Sequence, residues 1–254
     1  MVTASRGRVE LQRGPAGTWS AVKAGDKLHA SDALRTGQGD ADVAVEGVQL
    51  HVLERSGLQL RTIDHGVVRA RLRGSLESRV EAKNGRLDVE VEGADALAYS
   101  EGGHFFVTAD GRGVIAVASV NGSVHLSSAG KTVEIKTGEV SRVVATNAPP
   151  DAPVAALRRV LLSVEWPNQR ETNKAHLPLS GRVESGSRVF VQGEPVVVER
   201  NGVFRAEVPL KHGTQSVAVV TIDALGRRKQ VESVVRRDDS LPAVKVKRKL
   251  WQWH

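Results

Sequence analysis

In the stretch Leu34-Arg-Thr-Gly37-Gln-Gly39-Asp40-Ala-Asp42-Val-Ala-Val45-Glu46-Gly47, glycines stand close to acids, as they do in loops that cradle phosphate or bind cations. A phosphate loop leads into a helix whose first amides face the anion. Gly37-Gln-Gly39 instead runs into the alternating DVAVEG. A calcium loop spaces oxygen ligands at odd positions and closes on a glutamate, and Asp40 and Asp42 have no such continuation. The stretch therefore reads as a turn feeding a strand, with the Thr36 hydroxyl stabilising the corner. Histidines at 29, 51, 65, 104, 125, 176, 212 and 254 form none of the close pairs that place two metal ligands on one element. Only ligands converging from distant strands could then hold a metal. No serine sits in a Gly-x-Ser-x-Gly elbow, and no two carboxylates stand out as an acid and base for glycoside cleavage. With no cysteine, thiolate zinc sites, a cysteine nucleophile and a disulfide framework are excluded. The expectation is a non-enzymatic chain with no catalytic, metal-binding or cofactor-binding residues and no cofactor.

The C-terminal tail, Val244-Lys-Val-Lys-Arg-Lys-Leu-Trp-Gln-Trp-His254, offers recognition chemistry instead. Extended geometry sends Val244, Val246 and Leu250 to one face, interrupted by Arg248, and Lys245, Lys247, Lys249, Trp251 and Trp253 to the other. Cations beside indole rings suit an acidic protein edge, an anionic glycan or a lipid headgroup layer. Lys245, Lys247, Arg248, Lys249, Trp251 and Trp253 are the expected partner-binding residues. The competing reading is a last strand that buries the tryptophans against the first half of the chain.

These residues must be carried by some framework, and the patterning describes one. The 254 residues include 40% hydrophobic and 26% charged side chains, a folded-protein composition long enough for two ordinary cores. From Gly47 to Gly138 glycines recur every 8 to 11 residues. Between them lie short alternating runs: Val48–Val52, Val67–Leu72, Leu87–Val91, Val114–Val117 and Val133–Ile135. Alternation at period two places successive side chains on opposite faces of a pleat, and strands at such spacing make an all-β body. A solenoid-like roll and an antiparallel sandwich both produce this rhythm. Pro149, Pro150 and Pro153 interrupt it and favour extended backbone without ladder donors. The division is then an all-β domain over 1–147, a Pro-rich linker over 148–159, a second β-domain over 160–239 and the tail over 240–254. Seven strands are expected in the second domain: Val160–Val164, His176–Val183, Arg188–Gln192, Pro195–Glu199, Phe204–Val208, Gln215–Asp223 and Lys229–Arg236. That is the strand count of an immunoglobulin-like sandwich. Asn201-Gly202 and Asp223-Ala-Leu-Gly226 mark turns between them, and Asp238-Asp239 a solvated turn closing the last.

The order Gly7-Arg-Val9, Trp19, Val22, Gly25-Asp-Lys-Leu28, Asp32, Leu34-Arg-Thr-Gly37, Gly39, Val43, Val45, Gly47, Leu50, Val52 and Leu58 resembles the FecR domain. Phe106-Val-Thr108, Gly122-Ser-Val124, Val133-Glu-Ile135 and Gly138-Glu139 are similar to its later part, so the resemblance covers roughly residues 6 to 146. It implies an extracytoplasmic all-β domain with a solenoid-like roll, used in protein interaction or signalling. Members that regulate sigma factors carry a cytoplasmic helical segment and a membrane span ahead of this domain. This sequence shows neither, and an anti-sigma role is not carried over. Leu179-Ser-Gly-Arg-Val183, Ser187-Arg-Val-Phe-Val191, Asn201-Gly-Val-Phe204 and Asp223-Ala-Leu-Gly226 resemble a bacterial Ig-like module, whose motifs are structural. Trp19 and Trp166 are expected to pack.

Charge adds a direction. The first 150 residues balance 18 basic against 18 acidic side chains, so the net charge of +7 falls entirely in the remainder. An anionic partner is one reading and a solvated basic surface the other. The expected role is a periplasmic or otherwise extracytoplasmic scaffold for an envelope protein partner, with any signal peptide or membrane anchor absent from this chain. The alternative is a module binding polysaccharide or peptidoglycan. Aromatics at 4% and the lack of a reader helix or RNA-binding sheet motif argue against nucleic acid.

Overall fold

The computed structural model describes residues 1–81, 85–110, 114–167 and 171–238. It is all-β, with no helix among the described residues. The first strands are β1 (Val2–Gln12), β2 (Trp19–Ala21), β3 (Ala33–Val45), β4 (Val48–Val52) and β5 (Gly57–Asp64). Next come β6 (Val67–Arg73), β7 (Ser75–Val80), β8 (Arg86–Val91), β9 (Ala96–Ser100) and β10 (Gly103–Ala109). The run ends with β11 (Ile115–Gly122), β12 (Val124–Ser128), β13 (Lys131–Ile135), β14 (Glu139–Val143) and β15 (Val154–Ala155). All fifteen belong to one sheet, whose path is β13-β12-β9-β8-β6-β5-β3-β4-β7-β10-β11-β14-β15, with β1 and β2 attached at β3. Pairing is antiparallel throughout except between β6 and β8. The sheet buries one cluster, from Val2 through Val43, Leu50, Leu72, Leu87, Phe105 and Leu126 to Val143. Fifteen strands over a single core require a curled sheet.

Alternation builds this roll as the sequence indicates. In β4 and β6 every second residue is buried, so each strand lays Val and Leu on the core and Gln, His or Arg on the outside. The turn between β3 and β4 puts Glu46 at φ 41° and Gly47 at φ 76°. Two positive angles match the right-handed twist of the flanking strands, and glycine meets the second without strain.

One expectation fails at the start of β3. Leu34 to Gly39 form no turn but lie inside a thirteen-residue strand. A Cβ on Gly39 would stand 2.1 Å from the Arg6 carbonyl oxygen, and one on Gly7 2.1 Å from that of Gln38. The glycines thus permit two backbones to approach at a register shift between Gly7↔Gly39 and Val9↔Thr36, as bulges do. Thr36 stabilises no corner of its own strand. Its hydroxyl donates to the Leu53 carbonyl at 2.6 Å and accepts from the Ser56 amide at 2.9 Å, holding the loop between β4 and β5.

After the prolines, β15 pairs with β14, so part of the expected linker extends the first sheet. The remaining strands are β16 (Leu162–Glu165), β17 (Glu171–Thr172), β18 (His176–Val183), β19 (Arg188–Val191), β20 (Glu194–Val196), β21 (Val203–Pro209), β22 (Gly213–Ile222) and β23 (Arg228–Arg237). They form a three-stranded sheet, β16-β18-β21, and a five-stranded sheet, β17-β23-β22-β19-β20. Leu162, Leu177, Leu179 and Phe204 of the first face Val189, Val191, Val217, Val219 and Val235 of the second across a common core. The short β17, which the patterning did not mark, adds a parallel edge to β23.

Candidate functional site

Two strands, one in each unit, are buried on both faces. In β22, Val217 and Val219 enter the sandwich core, while Val220 and Ile222 on the opposite face join Phe190 and Leu53. In β11, Ile115 and Val117 face the roll core, whereas Ala116 and Ala118 meet Val140, Ala224 and Leu225. These two apolar patches are where the roll and the sandwich press together. Small residues make the approach possible. A Cβ on Gly186 would lie 2.7 Å from that of Ala116, and one on Gly226 2.5 Å from the Phe106 ring.

Polar contacts complete the junction. Arg142 of β14 donates to the Ser185 carbonyl at 2.8 Å and pairs with Glu184. Burial holds the Glu184 carboxyl above the usual glutamate range despite that partner. Asp223 organises the turn after β22, accepting from the Leu225 and Arg227 amides at 3.0 and 2.9 Å. Its partner Arg227 reaches the Leu157 and Arg158 carbonyls at 2.7 and 3.0 Å, which ties the connecting segment down.

Arg188 is the central residue. Its guanidinium donates to the carbonyls of Glu54 at 3.1 Å and Arg55 at 2.7 Å, and to the hydroxyls of Ser56 and Ser75 at 3.3 Å each. Its own carbonyl accepts from Thr221. A side chain at the start of β19 is thereby anchored in the loop between β4 and β5. Burial pushes its pKa down to about 10, with Glu54 acting against the shift and the nearby charges of Arg55 and Arg73 adding to it.

Beside Arg188 a cleft of about 810 Å³ opens between the two units. Five arginines line it, at 35, 55, 71, 73 and 188, with two acids, Glu92 and Asp110. Val189, Phe190, Pro195, Val196, Val197 and Val198 supply an apolar wall. Trp19 stands at the cleft half-buried, its ring 4.2 Å from the Arg35 guanidinium, so its packing partner is a cation. Trp166 packs against the sandwich core. No histidine is among the described residues lining the cleft. The Ser56 hydroxyl donates to the Glu54 carbonyl and accepts the Ser75 amide, which leaves it a structural link. The chemistry on offer is recognition of negative charge.

Elsewhere, Asp40, Asp42 and His51 bring ligand atoms within 4.8 Å of one another, a convergence from β3 and β4 that sequence spacing does not display. Arg6 lies 2.7 Å from Asp40 and 3.5 Å from Asp42, and His51 is 2.7 Å from Asp42. The two carboxylates thus share the Arg6 guanidinium, and Asp42 also hydrogen-bonds the His51 ring. The tail residues Lys245, Lys247, Arg248, Lys249, Trp251 and Trp253 lie outside the described residues, as does Asp239. The cleft residues were not nominated from the sequence. The apolar patches of the junction, rather than the cleft, have a local signal, the unbroken apolar runs Ile115–Ala118 and Val217–Val220.

The fold and cleft together define a two-unit all-β chain with a basic groove at the junction. No protein-family model and no curated protein sequence matches it. Among solved structures it is similar to an anti-sigma factor candidate from Parabacteroides distasonis ATCC 8503, seen in two crystal structures at 16% and 15% identity and a TM-score of 0.42. The match covers 48% of this chain and 57% of that one, so the chain spans little more than half of that protein's length. It is also similar to a polysaccharide lyase at 9% identity and a TM-score of 0.24, covering 91% of this chain and 39% of the other. Likenesses this loose leave function to be argued from the chain's own residues.

Proposed function

We propose that this chain is a non-enzymatic protein of the bacterial envelope, outside the cytoplasm, whose FecR-like domain (1–147) and Ig-like sandwich (160–239) form one rigid scaffold for a protein partner in signalling or assembly. The observation that carries the reading is the junction itself. Two apolar patches, the Arg142–Glu184 pair and the anchored Arg188 fix the units against each other, which removes the orientational freedom a bound partner would otherwise have to restrict. The basic cleft beside that junction supplies a surface for recognition. The FecR resemblance over residues 6 to 146 supports the extracytoplasmic placement. No helix among the described residues is long and apolar enough to cross a membrane.

Cross-linking in intact cells followed by affinity capture of the tagged chain tests this reading. It expects a specific protein that is absent when the sandwich alone is the bait, and recovery of none counts against it. The second reading, a polysaccharide- or peptidoglycan-binding module, is favoured by the half-buried Trp19 beside Arg35, since an indole face at a groove suits a sugar ring. Sedimentation with purified sacculi addresses it. Binding that is unchanged by Trp19→Ala and by Trp251→Ala with Trp253→Ala removes both tryptophan sites from that account.

A further inference from the structure

Strand β6 sends Arg69, Arg71 and Arg73 to its exposed face. The parallel register sets Asp88 opposite Arg69 and Glu90 opposite Arg71, and both rungs close as ion pairs, at 3.2 and 3.4 Å. By the same step the third rung would join Arg73 to Glu92. Strand β8 ends at Val91, and among the described residues Arg73 has no carboxylate within ion-pair distance; both side chains line the cleft instead. Arg55 is in the same condition. It holds a left-handed φ of 54°, unusual for a non-glycine residue, and its guanidinium lies 5.2 Å over the Phe190 ring with no acidic partner among the described residues. Arg188, whose two terminal nitrogens meet carbonyls and hydroxyls, completes a group of three cations without a carboxylate at bonding distance among the described residues. Like charges held together in a partly buried cleft favour an anion between them.

The opposite wall has other chemistry. Strand β20 is the outer strand of its sheet and leads into Val197, which is 44% exposed. Pro195 to Val198 present aliphatic surface to the cleft. An extended peptide sends successive side chains to opposite sides, so acids alternating with apolar residues would meet the arginines on one side and the valines on the other. A polyuronate carries the acids without the apolar partners. A single-stranded nucleic acid depends on stacking successive bases on aromatic faces, and Trp19 is the one indole among the described residues lining this cleft.

We propose that the cleft between roll and sandwich binds an extended acidic segment of a protein partner, its carboxylates on Arg55 and Arg73 and its apolar side chains on Pro195 and Val197. This rests on the scaffold reading above and names the contact. The test is fluorescence anisotropy with a labelled peptide of alternating glutamate and valine, compared with its lysine counterpart, an oligogalacturonate and an oligothymidylate. The intact chain is expected to bind the acidic peptide in a salt-sensitive way and not the lysine peptide. Arg55→Glu with Arg73→Glu should weaken binding about tenfold or more, and Lys131→Glu on the distant β13 should leave it unchanged. Arg73→Gln alone, an exposed strand position, should give a smaller loss and keeps the test independent of folding. Absence of peptide binding, equal losses in the Lys131→Glu control, or tighter binding of either other polyanion would overturn the proposal. A cellular partner captured equally well by the doubly charge-reversed chain would leave the scaffold reading standing and remove the cleft from it.

Discussion

Arg188 and Asp32 show how single polar groups hold this molecule. Arg188 joins two cores by satisfying carbonyls and hydroxyls of the loop it enters. In Arg188→Ala the Glu54 and Arg55 carbonyls lose their donor at a largely desolvated position. A loss of about 1–3 kcal/mol per unsatisfied group should appear as a lower midpoint in urea denaturation. Lysine would not restore it, because a point charge cannot replace the planar fork. Asp32 lies just before β3 and is buried. Burial alone would raise its pKa, but the amides of His29 and Gly14 and the guanidinium of Arg13, each at 3.0 Å, outweigh it and hold the carboxyl below its ordinary value of 3.8. A carboxyl whose folded pKa is depressed contributes stability above its unfolded value and loses it as pH falls through the folded one. Asp32→Asn should therefore be less stable than the parent near neutral pH, with the gap narrowing below about pH 4. Thermal unfolding measured across that range decides it, and a gap that stays constant would contradict the assignment.

Elements were more legible than contacts between them. The strands predicted at Val48–Val52 and His176–Val183 coincide with β4 and β18, because one face of each meets a core and the other meets solvent. The start of β3 misled, since paired glycines that admit a close backbone approach look like turn glycines in a linear sequence. The junction was illegible for a different reason. An unbroken apolar run such as Val217-Ala-Val-Val220 is equally consistent with a strand buried inside one domain, and Arg55 and Arg188 are 133 residues apart in the chain. Once the junction is seen, Gly226 becomes an element-scale lever. Its φ of 69° and the Phe106 ring 2.5 Å from a built Cβ leave no space for a side chain. Gly226→Leu should part the two units while sparing their separate cores. The expected record is a calorimetric trace that splits into two transitions, with faster proteolysis around residues 150–160. A single, merely lowered transition would mean that the two cores unfold together.

At the scale of the whole molecule, the basic excess after residue 150 meets a roll that is neutral overall yet places Arg35, Arg55, Arg71 and Arg73 along the junction. Net charge thus understated the first half, where Asp88 and Glu90 pair with Arg69 and Arg71 while Arg55 and Arg73, without an acidic partner among the described residues, stand at the cleft. The account's central claim is that roll and sandwich act as one body whose cleft receives a protein partner. A photo-crosslinking amino acid at position 197, placed in the chain in living cells and compared with one at exposed Thr132, tests this most directly. The account predicts a discrete protein adduct from position 197 alone, lost with Arg55→Glu and Arg73→Glu. No adduct at 197, or the same adducts from both positions, would contradict it.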